Sequence, residues 1–161
     1  MIAQIMKKMI ERANGNTHDI HHFIMVWSYA KTIGELEKLD DQTQFILEVA
    51  AITHDIACPL CREKYGNTNH YYQEKEGMVL VSEFLDEFDL TAAQKDRVTY
   101  LVGHHHTLND IDGKDYQILI EADYLVNANE MSFSIANIKN FGEKVFKSVS
   151  GISLLKTIYR L

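Results

Sequence analysis

The chain has 161 residues, 46% of them apolar, enough to fill one hydrophobic core without help from disulfides. Sixteen Lys and Arg against 23 Asp and Glu give a formal charge of −7, which excludes a broad nucleic-acid surface, because such a surface needs clustered cations to displace condensed counterions. Two cysteines are too few for a disulfide framework.

The N-terminal stretch MIAQIMKKMIERANG interrupts its apolar residues with Gln4, Lys7, Lys8, Glu11 and Arg12, so it lacks the unbroken core of a signal peptide. It reads instead as a first helix from about Ile2 to Ala13, ended by Asn14 and Gly15. Thr17 caps a second helix to about Lys38, and a third runs from about Asp41 to Ile56. Pro59 and the loop through Gly66 and Asn69 break the chain before a fourth helix over about Tyr72 to Glu87. Thr91 caps a fifth, which carries Val98, Leu101 and Val102 and ends near His104. After the polar loop Asn109 to Gly113 comes a sixth helix, about Tyr116 to Asn129, and two short ones follow around Asn137 and Leu155. No stretch alternates as a half-buried strand would, and no later apolar run approaches transmembrane length. The expectation is an all-α, single-domain helical bundle of seven or eight helices spanning residues 1–161, in the cytoplasm.

Three apolar helical runs carry charge where it is costly. The third helix ends its surface of Phe45, Ile46, Val49, Ala50, Ile52 and Ile56 in His54-Asp55. The sixth surrounds Asp123 with Ile118, Leu119, Ile120, Ala122, Tyr124, Leu125 and Val126, whereas Glu121 is placed to reach the surface. On the second helix His22 lies one turn further into the apolar segment than His18, beside Phe23, Val26, Trp27 and Ala30. A buried ionised group costs several kcal/mol unless it is paired or bound to a cation, and one divalent metal would satisfy all three runs. Two imidazoles and two carboxylates suit manganese, iron, cobalt or zinc better than an all-oxygen magnesium cage, though magnesium is admitted. Four protein ligands leave an octahedral ion open positions for water and substrate, whereas a tetrahedral zinc would be closed.

In order, spacing and helical setting, His22 in HHFIMV, His54-Asp55 in AAITHDIA and Asp123 in EADYL resemble the HD-domain metal-dependent phosphohydrolases, over roughly Thr17 to Asn127. The resemblance implies an all-α bundle, metal ligation by His22, His54, Asp55 and Asp123, and hydrolysis of phosphate esters or anhydrides, often in nucleotides. Members with two metals place a further histidine where this chain has Gln73, which speaks against a second ion, although His104 and His105 sit where such members often have histidines. Some nucleotidase members carry a glutamate three residues beyond the His-Asp aspartate, where this chain has Cys58, so the water-activating group is not carried over.

Asp55, His104 and His105 are therefore the candidate catalytic residues. His104, His105 and His106 come directly after Gly103 at a helix end, where one imidazole can bind phosphate or protonate a leaving oxygen. Arg62, Lys64 and Lys75 are the candidate substrate-binding cations, each a solvated surface charge by default. The expected partner is a small phosphorylated molecule, since a metal ion reverses the local sign of charge; neither a nucleic-acid polymer nor a membrane is expected. Cys58-Pro59-Leu60-Cys61 spells a redox motif but lacks the preceding strand and is expected near the rim of the site without a redox role. Asp110, Asp112 and Asp115 around Gly113 read as a turn with a helix cap rather than a calcium loop.

Two other readings use the same residues. His18-Asp19-Ile20-His21-His22 mimics the zinc-peptidase pattern, with His18 and His22 as ligands and an aspartate one methylene too short for the general base. A non-catalytic sensor would hold a metal or nucleotide with the same four ligands.

Overall fold

The computed structural model describes residues 1–161 as nine helices with no strand. They are α1 (Ile2–Arg12), α2 (Thr17–Leu36), α3 (Asp41–Thr53), α4 (Cys58–Tyr65), α5 (His70–Leu85), α6 (Ala92–Val102), α7 (Gly113–Glu130), α8 (Ile135–Val145) and α9 (Val149–Tyr159). Short polar side chains start most of them: Asn16, Asp40, Asn69, Thr91, Ser134 and Ser148 each accept a hydrogen bond from a backbone N–H in the first turn. Thr91 and Gln94 complete a capping box.

The helix beyond the eight legible in the sequence is α4. Pro59 does not break the chain there; it sits in the first turn of a helix, where its missing N–H costs nothing. Gly66, at φ 69°, then ends α4 in the left-handed conformation that glycine adopts without strain. Between α3 and α4 the residues His54 to Ala57 form a turn rather than continuing α3 to Ile56.

Helices α2, α3 and α7 pack mutually, α1 lies on α3, and α6 joins α3 to α5. Helix α9 spans α2 and α7 and carries α8. The buried apolar residues form one continuous cluster, with α7 buried along most of its length. By length and composition Asp41–Tyr65, which is α3, the turn and α4, is apolar enough to cross a membrane, contrary to the expectation from sequence. Of its most apolar window 72% is buried inside the fold, so its apolar character serves the core.

Two buried carboxylates tie helices together. Asp115 receives Arg97 Nε and Nη2, both at 2.8 Å, which joins α6 to the first turn of α7. Glu121, expected at the surface, is fully buried. Its Oε1 accepts from the backbone N–H groups of Lys147 (2.7 Å) and Ser148 (3.0 Å) and from Gln117 Nε2 (2.8 Å), and its Oε2 accepts from the Ser148 hydroxyl. One carboxylate thus anchors the start of α9 to the middle of α7.

Candidate metal centre

Three helices and one turn bring four of the singled-out side chains to one point. His22 projects from the second turn of α2, His54 closes α3, Asp55 is next in the turn, and Asp123 comes from the buried middle of α7. His22 Nε2 lies 3.1 Å from His54 Nε2, 3.3 Å from Asp123 Oδ1 and 3.5 Å from Asp55 Oδ2. His54 Nε2 lies 3.5 Å from Asp123 Oδ1 and 3.6 Å from Asp55 Oδ2.

The protons on these rings point away from that centre. His22 Nδ1 donates to Glu130 Oε2 at 2.9 Å and His54 Nδ1 to the Ala51 carbonyl at 2.9 Å, which assigns the neutral-ring proton to Nδ1 and leaves both Nε2 lone pairs facing inward. Asn127 Nδ2 donates to Asp123 Oδ1 at 2.8 Å and orients that carboxylate. Two inward-facing imidazole nitrogens 3.1 Å apart, each within 3.6 Å of an oxygen of Asp123 and of Asp55, need a positive charge between them. A cation with bonds of about 2.0–2.2 Å sets neighbouring ligand atoms roughly 3–3.5 Å apart, so the donor set fits a divalent ion.

Without such an ion a proton takes its place. Burial alone would lower the His22 pKa, but the hydrogen bond to Asp123, the Asp55 charge and Glu130 outweigh it and raise it from 6.5 to about 10. Burial likewise pushes the Asp55 and Asp123 carboxyls up, and the facing imidazoles overcome it, holding both below the usual carboxylate range.

Asp55 faces a second group of donors, with its Oδ1 3.5 Å from His105 Nε2. The donor atoms of Asp55, His105 and His106 lie within 4.8 Å of one another. His105 Nδ1 donates to the Val102 carbonyl at 2.8 Å, and its buried Nε2 has no hydrogen-bond partner. His106 Nε2 meets Gln73 Oε1 at 3.2 Å, and its ring stacks on His70 with centroids 3.8 Å apart. Burial, reinforced by His105, lowers the His106 pKa to about 2, so this ring is neutral. Gln73 thus engages His106 from the position where the resemblance looks for a further ligand histidine.

A cavity of about 610 Å³ opens beside both groups. His105 and His106 border it, but His104 does not; its Nδ1 donates to the Tyr100 carbonyl at 2.7 Å and its ring stacks on Tyr100, away from the cavity lining. Of the three candidate cations only Arg62 borders the cavity, and it pairs with Asp19. Lys64 is bound to Glu76 at 2.8 Å and Lys75 is exposed, both off the cavity lining. The peptidase pairing does not form either, because His18 is 72% exposed and lies 3.7 Å from Glu130, while His22 Nε2 is turned inward toward His54. Cys58 lines the cavity with its thiol pKa pushed up by burial and by the Asp55 and Asp19 charges, the reverse of a redox-active cysteine.

Sequence reasoning missed Glu130, 108 residues from the ring it holds, and Asn127. Asn127 falls one turn after Asp123 on the same helical face, a spacing visible in the sequence.

The bundle and its buried histidine–aspartate centre define an all-α protein with a donor set that fits a metal ion. Residues 19–128 match the HD domain, most of the chain and all four converging residues, and the chain belongs to that family, whose members bind divalent metals and are typically hydrolases. The fold is similar to the crystal structure of a predicted HD superfamily hydrolase from an uncultured Thermotogales bacterium, with a TM-score of 0.70 at 22% identity over 99% of this chain and 83% of the other. No curated protein matches the chain.

Proposed function

We propose that this chain is a metal-dependent phosphohydrolase that cleaves a phosphate ester or anhydride in a small phosphorylated molecule, a nucleotide by preference. The observation that carries this reading is the convergence of His22, His54, Asp55 and Asp123 with their lone pairs directed inward, three of them, His22, Asp55 and Asp123, on the wall of an open cavity. One divalent ion, manganese, iron, cobalt, zinc or magnesium, would there withdraw charge from a phosphoryl oxygen and acidify a water near neutral pH. The four residues would hold it, and Glu130 and Asn127 fix the orientation of His22 and Asp123.

The remaining groups have roles set by their atoms. His105 Nε2 is a buried acceptor 3.5 Å from Asp55 Oδ1, placed to receive a proton at the cavity wall. Burial disfavours that proton, but the facing Asp55 carboxylate outweighs burial and raises the His105 pKa. Arg62 stands at the cavity edge, where a phosphate competes with Asp19 for the guanidinium. The open cavity beside the centre favours turnover over a saturated structural ion.

The test is metal analysis and then a screen of nucleotides and small phosphate esters with added manganese, cobalt or magnesium, comparing the native chain with Asp55→Ala. Turnover that a chelator removes, and that falls at least about a hundredfold in the variant, is expected. A native protein that turns over nothing, or a variant equally active, overturns the reading.

Glu130→Gln keeps the shape of the His22 partner and removes its charge, so metal affinity should fall roughly 10- to 100-fold in a competition titration against a chromophoric chelator; an unchanged affinity would show that Glu130 does not support the ligand. The His22 pKa of about 10 means that the metal-free protein carries a proton there at pH 7. Its contribution to stability is complete below the ordinary pKa of 6.5 and is lost as pH rises through about 10. A cation must displace that proton, so affinity should rise with pH by roughly tenfold per unit below pH 10. Calorimetry in buffers of different ionisation heat should find about one proton released per ion near pH 7, and none if His22 is not a ligand.

A further inference from the structure

We propose that the outer face of α8 and α9 is a docking surface for the anionic headgroups of a phospholipid bilayer. It stands apart from the phosphohydrolase reading. Asn137 and Phe141 of α8 border the cavity, whereas the outward residues of the two helices do not.

Charge is segregated along the chain. Residues 131–161, beyond the matched residues 19–128, carry five cations, Lys139, Lys144, Lys147, Lys156 and Arg160, against one carboxylate, Glu143. With a total of −7, that formal +4 leaves −11 on residues 1–130. Most cations in the larger part pair with a carboxylate, whereas these five are exposed and none forms an ion pair.

Helical period sets the cations beside open aliphatic side chains. On α9, Val149, Ser153, Lys156 and Arg160 fall at i, i+4, i+7 and i+11, all exposed, across the helix from the buried Gly151 and Leu155. Val149 is 78% exposed, the most open large apolar side chain in the protein. On α8, the exposed Ile135 and Lys139 lie one turn apart, clear of the inward row Ile138, Phe141 and Val145. A Cβ on Gly142 would lie 2.5 Å from Leu155 Cδ2, so the two helices close on each other and no groove opens between them.

That shape selects the partner. A bound peptide needs a groove or a strand edge, and this all-helical face offers neither. A nucleic-acid strand would satisfy the cations but leave Ile135 and Val149 in water. An anionic bilayer surface meets both, because headgroup charge takes the lysines and arginine while the interfacial layer takes the aliphatic side chains. No membrane partner is expected from the sequence, and a charge of −7 acting as a whole would be repelled. Screening reverses that outcome: the Debye length at physiological ionic strength is about 8 Å, against a radius of gyration of roughly 15 Å for a compact chain of this length. The bilayer therefore feels the near cations and not the distant carboxylates.

The experiment is co-sedimentation of the full chain with vesicles of phosphatidylcholine and with vesicles of phosphatidylcholine mixed with phosphatidylserine, over a range of salt. The native chain should bind the mixed vesicles only and leave them as salt is raised. Each cation contributes about fivefold to such partitioning, so the combined variant Lys139→Gln, Lys156→Gln and Arg160→Gln should bind roughly 100-fold more weakly. Val149→Ser should bind severalfold more weakly with the salt dependence unchanged. Thermal unfolding checks that the variants are folded; if the combined one is not, Lys156→Gln alone should lose about fivefold. The surface is overturned if the native chain stays unbound, binds both vesicles equally, or is matched by its folded variants. Capture by a polyglutamate peptide or a duplex oligonucleotide without binding to the mixed vesicles also overturns it and gives the face to that polyanion. No readout here involves turnover, so the hydrolase reading stands or falls separately.

Discussion

Asp123→Asn is expected to leave the fold intact and abolish stoichiometric metal binding, lowering kcat/KM for any phosphate ester by roughly three orders of magnitude, or about 4 kcal/mol of transition-state stabilisation. The substitution is nearly isosteric and keeps an oxygen for Asn127, so misfolding does not explain the loss. It removes the negative charge that lies 3.3 Å from His22 Nε2 and 3.5 Å from His54 Nε2, the one carboxylate of the centre that is held inside the bundle. Elemental analysis of purified native and variant protein, with initial rates on the best substrate, is the check. Metal content near one ion per chain in the variant, with undiminished rates, would remove Asp123 from the centre.

The second large effect falls on stability. Glu121→Ala should cost about 3–5 kcal/mol, because it takes from two backbone N–H groups, Gln117 and the Ser148 hydroxyl the fully buried acceptor they share. For a chain of this length that is a fall of about 10 °C or more in Tm. Gly151 belongs to the same arrangement: a Cβ there would lie 2.1 Å from Glu121 Oε2, so Gly151→Ala should destabilise in the same direction. Urea unfolding of the metal-free proteins reads both. A midpoint for Glu121→Ala within experimental error of the native would mean that α9 does not depend on this anchor.

The fold is legible in the sequence because apolar periodicity survives along most helices and polar caps mark their starts. The missing α4 shows where that signal is ambiguous: proline ends a helix from within but opens one at its first turn, and the two cases differ only in whether the residues after the proline go on as a helix. The buried charges on α2, α3 and α7 announce themselves because each breaks an apolar run. Glu121 shares that setting with Asp123 yet reads as a surface residue, because its partners are backbone amides 26 and 27 residues on, which no local pattern reveals. The histidine triplet offers three similar rings; the turn after α6 decides that His105 and His106 face the cavity and His104 faces Tyr100. Lys64 shows how a cation is removed from contention by a partner 12 residues away.

Within four residues of α7, Glu121 reaches α9, Asp123 reaches the histidines and Tyr124 reaches α8. Each residue added to or deleted from a helix turns everything beyond it by about 100°. A single-codon insertion or deletion ahead of Glu121 would therefore misdirect all three at once, whereas the exposed loop at Leu108–Asp110 has no such cargo. Deep insertion scanning should find this helix among the least forgiving stretches of the chain, in frame length even where its individual side chains accept exchange.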